Sequence, residues 1–118
     1  MREEFDRVWP MLKPSVQRYG DTQRKRHVWQ AIESGHAQLW PLPNAALVTQ
    51  IDIYPTGLKE CRAWLAGGEL DEIVAITPEI EAWARKRGCT RAVIFGRRGW
   101  GKALTGYREM AVTYAKDL

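Results

Sequence analysis

Two cysteines and two histidines are all that the 118 residues hold of the usual soft metal ligands. Cys61 and Cys89 have no metal-type spacing and read as reduced, buried small hydrophobes. His27 and His36 have no Ser, Cys or carboxylate at a telling distance and read as surface or helix-end histidines. No run approaches the roughly 20 apolar residues needed to span a bilayer, so no membrane partner is expected. The opening Met-Arg-Glu-Glu-Phe-Asp carries charge where a secretory signal needs a long apolar stretch, and the expectation is a cytoplasmic protein. Biased tracts, internal repeats and linkers are missing as well. What is left is a single domain over residues 1–118, with room for a two-layer core and none for a second substrate domain.

Tryptophan, by contrast, is plentiful: six in so short a chain. Several should be core, and one or two should line a surface used for binding. The net charge of +4 hides a polarity along the chain. Residues 1–35 carry seven basic against five acidic residues, residues 36–84 two against seven, and residues 85–118 nine against two. A basic C-terminal third could face phosphate, nucleic acid or an acidic partner, although a solvated charged face is the commoner reason for such a run.

Periodicity supplies the elements. Phe5, Val8, Trp9, Leu12 and Val16 recur at helical spacing over residues 3–18, despite Pro10 and Pro14. A second helix is predicted from an Asp21 or Thr22 N-cap through Val28, Trp29 and Ile32 to Gly35. Residues 37–42 and 45–54 are β-rich around a Pro43-Asn44 turn, and residues 59–66 form a third antiparallel strand ended by Gly67-Gly68. Leu70 to Arg87 is helical, with Thr77-Pro78 reading as a break and restart and Gly88 as the stop. Then come a strand over 90–95, a short helix near 100–105 and a last strand from Tyr107 through Val112 to Tyr114.

The stretch VIFGRRGWGKALTG places Gly96-x-x-x-x-Gly101-Lys102 directly after a strand, one residue short of a nucleotide-binding phosphate loop. The hydroxyl that would hold magnesium is replaced by Ala103, and too little chain follows for the parallel strands such a site needs. The spacing therefore reads as an accident of a Gly-rich connection.

Helix, helix, three antiparallel strands, long helix, strand, short helix, strand: this order resembles the GNAT family of N-acetyltransferases. The likeness is clearest over residues 45–118. IEAWARKRGCTRAVIF is similar to the family's helix and fifth strand, and LTGYREMAVTYAKDL to its closing segment, with Gly106, Tyr107, Lys116 and Leu118 at the matching places. The resemblance implies an α+β fold with a central, mostly antiparallel sheet of about five strands flanked by helices, order ααβββαβαβ. It also implies an acetyl-coenzyme A site where two strands splay apart, the pyrophosphate resting on backbone N–H groups at a helix N-terminus. At that place this chain has Ala66, Gly67 and Gly68 without the family's Q/R-x-x-G-x-G/A motif. Glu69, Asp71 and Glu72 put negative charge where the pyrophosphate would lie.

Three functions follow. In the first, a GNAT-like protein has a degenerate cofactor loop and binds no cofactor. Its GRRGW segment resembles acetyltransferase-like proteins of tailed bacteriophages, which implies a binding, virion or assembly module in host cytoplasm or virion. Arg97, Arg98, Trp100 and Lys102 would then contact a protein partner, Arg and Trp being favoured at interface hot spots. Alternatively, Trp100 plugs a gap beside the sheet and the arginines pair with the acidic Glu69–Glu72 segment. In the second, an active N-acetyltransferase binds acetyl-coenzyme A through Ala66, Gly67 and Gly68, with Arg97, Arg98 or Lys102 on its phosphates. Asp52 and Glu60, otherwise surface carboxylates, are then the nearest bases, and Tyr107 or Tyr114 the acid. In the third, the basic C-terminal third binds nucleic acid with steep salt dependence.

Overall fold

The computed structural model describes residues 1–18, 20–97 and 99–118. Helix α1 (Arg2–Gln17) forms because Phe5, Val8, Leu12 and Val16 make one continuous stripe, and all four are buried. Pro10 and Pro14 sit on its exposed side, where their missing N–H groups weaken the ladder without disturbing the stripe. Helix α2 (Lys25–Glu33) starts later than an Asp21 or Thr22 cap would have it. The Asp21 carboxylate is taken by the Arg24 guanidinium at 3.2 Å, and the Arg24 N–H donates to His27 Nδ1 at 2.9 Å, so His27 closes the first turn. Phe5 lies between Trp9 and Trp29, at centroid distances of 5.7 and 5.4 Å, and joins the two helices.

Four strands follow in sheet order β1 (Gln38–Pro41), β2 (Ala45–Ile53), β3 (Lys59–Gly68) and β4 (Arg91–Ile94). The first three are antiparallel; β4 runs parallel to β3, reached through helix α3 (Leu70–Lys86). Period-2 alternation in β2 sends Ala46 and Val48 toward α1 and α2, and Ala45 and Leu47 toward α3. That is why five consecutive β2 residues are buried. The chain is thus an α+β domain whose mixed four-stranded sheet is flanked by helices.

Three expectations need correcting. Helix α3 does not break at Thr77-Pro78: Ile73, Ile80 and Ala84 on either side pack on the same sheet, and the Thr77 hydroxyl turns inward to donate to the Ile73 carbonyl at 2.7 Å. The helix ends as expected. Gly88, at φ 85°, lets its own N–H reach the Arg85 carbonyl and that of Cys89 reach the Ala84 carbonyl. Strand β3 continues through Gly67 and Gly68, which pair with Ala46 and Ala45. The sheet has four strands rather than five, because residues 108–118 take no regular structure and stand exposed after the short helix α4 (Trp100–Ala103).

Candidate functional site

The register of β3 and β4 brings together a cluster of charged side chains. Parallel pairing sets Glu60 opposite Arg91, and alternation puts Gln50, Asp52, Glu60 and Arg62 on the side of the sheet away from α3. Glu60, only 3% exposed, accepts from Arg91 Nε at 2.6 Å and from the Tyr54 hydroxyl at 3.0 Å. Arg62 is held by Asp52 at 2.9 Å and by Gln50, with its guanidinium 6.0 Å from the centre of the Phe95 ring. Glu60 is therefore a buried, paired group and not the surface carboxylate the sequence suggested. The bond from Tyr54 to Glu60 raises the Tyr54 phenol above its ordinary pKa, since losing that proton would set two negative charges together.

A groove of about 1030 Å³ runs along the outer edge of β4 and is walled by this cluster, by α3 and by the segment Arg108 to Val112. Tyr107 lies at its root. Its hydroxyl donates to Glu81 Oε2 at 2.8 Å, and burial, then that bond, hold the phenol protonated far into the alkaline range. Cys61, on the α3 side of the sheet, has its thiol pushed up to about 11 by burial, which removes it as a nucleophile near neutral pH. Tyr114 is fully in solvent, and His27 and His36 are helix-end and surface residues as expected.

The predicted site residues divide between two places. Arg97 and Trp100 line the groove, Lys102 is exposed on α4, and Arg98 lies outside the described residues. Trp100 is half-buried against the α3-side core and covers Gly96 so closely that a Cβ there would enter its indole. This explains the first glycine of the stretch: Gly96 makes way for a ring. Ala66, Gly67 and Gly68 lie at the opposite end of β3 from Glu60 and are not part of the groove. The Ala66 N–H donates to Ser15 Oγ at 3.3 Å, and a Cβ on Gly67 would strike the Met11 carbonyl. At the start of α3, Glu72 Oε1 accepts from the Asn44 N–H at 2.8 Å, and the Glu69 N–H donates to the Asn44 carbonyl at 2.9 Å. Among the described residues no ion pair joins Arg97 to the Glu69–Glu72 segment, and the Arg98 half of the expected clasp lies outside the described residues.

Sequence reading missed Tyr54, Arg62, Glu81 and Arg91. The alternation of Cys61 and Ala63 with Glu60 and Arg62 was a visible sign of one polar face, but Arg91 joins it only through the parallel register. Pairing of β3 with β4 ends at Ala63 and Ile94, and Trp64 is an extra residue in β3, a bulge opposite the Val48-Thr49 step. Among the described residues no group of three His, Cys, Asp or Glu could hold a metal ion, and no helix is long and apolar enough to cross a membrane. Compared with known proteins, the chain matches no family model, no curated protein and no solved structure.

Proposed function

We propose that this protein is a GNAT-like binding module, of the kind that serves tailed-bacteriophage virions or their assembly, in which the cofactor corner has become structural. The observation that carries the reading is the state of that corner. The Ala66 N–H is bonded within the chain, Gly67 is pressed against α1, and the first turn of α3 is engaged with Asn44 and bears acidic side chains. The residues present do not fit a pyrophosphate, which needs free N–H donors and positive potential at that pole. The partner face is instead the groove beside β4, with Arg97 and Trp100 in its wall. Five arginines face four carboxylates there, Asp52, Glu60, Glu81 and Glu109, a balance that suits a protein surface better than a polyanion.

Titration calorimetry with acetyl-coenzyme A and with coenzyme A tests this, folding being checked by near-UV circular dichroism. No heat at millimolar ligand is the expected result. Micromolar binding weakened by Arg97→Ala would overturn the reading. One observation favours the second reading, an active N-acetyltransferase: pairing between β3 and β4 stops at Ala63 and Ile94 although β3 runs on to Gly68. The same titration separates the two.

A further inference from the structure

We infer that the groove beside β4 is filled by the C-terminal segment of a second copy of this chain, each copy adding its residues 109–115 as a strand to the outer edge of the other's β4. The inference rests on reading the groove as a protein-binding face, and it names the occupant.

An unpaired edge comes first. β4 ends the sheet, and among the described residues no backbone hydrogen bond leaves its outer side. Open edges are templates for an added strand. The segment able to serve is at hand. Met110, Val112 and Tyr114 alternate with Ala111, Thr113 and Ala115, a period-2 pattern of β-prone residues, yet in its own chain the segment pairs with nothing. Its root explains why: the bond from Tyr107 to Glu81 fixes the start of the segment on α3, so that Arg108 to Val112 stand across the groove from β4.

Apolar exposure is concentrated on the two surfaces that would meet. Among the large hydrophobics exposed in the described residues, Met110, Val112 and Tyr114 are on the segment, and Tyr54 and Phe95 line the groove. Charge agrees as well. Residues 109–115 carry a single charge, Glu109, and the groove apart from its Arg108 to Val112 wall presents Arg62, Arg85, Arg91 and Arg97 against Asp52, Glu60 and Glu81, so an acidic strand meets a slightly basic groove. A two-fold axis makes the exchange reciprocal and closed, which stops at a dimer instead of growing into a fibre.

Sedimentation equilibrium of the full chain should give a dimer at a concentration on the order of 50 µM. Ala111, Val112 and Thr113 are exposed and their N–H groups alternate in direction along a strand, so of Val112→Pro and the double variant Ala111→Pro/Thr113→Pro at least one should give a monomer with unchanged circular dichroism. A wild-type monomer at that concentration, or a dimer indifferent to both proline variants, overturns the inference. Mixing Phe95→Cys and Tyr114→Cys chains gives a readout that does not depend on the proline. Disulfide between the two kinds of chain is expected; its failure to form, or closure within one chain carrying both changes, overturns strand exchange. These outcomes are separate from the coenzyme titration: a monomer that binds no coenzyme A defeats only the exchange, and a dimer that binds it defeats only the reading beneath.

Discussion

Take away the Arg91 guanidinium and the Glu60 carboxylate is left buried with only the Tyr54 hydroxyl beside it. Uncompensated buried charge of this kind costs about 3–5 kcal/mol, whereas losing one hydrogen bond to a charged group costs about 1.5–3 kcal/mol. Arg91→Ala should therefore destabilise the fold well beyond Tyr54→Phe in urea denaturation, and equal losses would mean that the pair is not what holds Glu60. Cys61 makes a different prediction. Its folded-state pKa, about 11, lies above the ordinary 9.0, so the unfolded chain ionises this thiol first. The stability it contributes is whole below about pH 9 and drains away toward about pH 11. Denaturation midpoints measured at pH 8 and pH 10 should fall on the alkaline side, and Cys61→Ala should shrink that fall; an undiminished fall would assign it to Tyr107 or Cys89, which are raised as well.

At the level of elements, two glycines and a proline set the terms. Gly67 lies where α1 crosses β3, and a methyl group there meets the Met11 backbone, which cannot swing aside. Gly67→Ala is expected to cost about 3 kcal/mol, the upper range for overpacking. Gly96→Ala meets a side chain instead and should displace Trp100, seen as a red-shifted tryptophan emission with a smaller loss of stability. If both variants melted alike, the backbone contact at Gly67 would not be the tighter of the two. Pro78 lies in the interior of α3 on its exposed side, and its ring leaves the Val74 carbonyl without a helical donor. Restoring that donor with Pro78→Ala should raise stability by about 1–3 kcal/mol, readable as a higher melting temperature.

Over the whole molecule, the basic C-terminal third is partly spent inside the fold. Arg91 is committed to Glu60, and Arg87 lies 4.2 Å over the Trp83 ring while donating to the Trp83 carbonyl. The chain should accordingly hold DNA no better than non-specifically, at a Kd of about 10⁻⁴–10⁻⁶ M near physiological salt. Fluorescence anisotropy with duplex and single-stranded oligonucleotides checks this; nanomolar binding that steepens as salt is lowered would restore nucleic acid as the partner. Of the candidate site, Arg97 and Trp100 were legible as a pair because they are neighbours in sequence. Ala66 to Gly68 were legible as a glycine turn but not as a packing contact with α1, because the Ser15 to Ala66 bond spans 51 residues.

What the sequence by itself determined was the order and nature of the elements through α4. Apolar stripes, strand alternation and glycine stops act over a few residues and need no distant partner to be effective. Tertiary structure alone decided three further matters. It set Glu60 against Arg91, 31 residues apart, through the parallel register of β3 and β4. Against the propensity for a break, it carried α3 past Pro78, because burial on both sides outweighs one missing hydrogen bond. It also withheld a strand from residues 108–118: alternation makes a segment fit to pair, but a strand exists only where an edge is within reach, and the anchor of Tyr107 on Glu81 puts the nearest one across a groove.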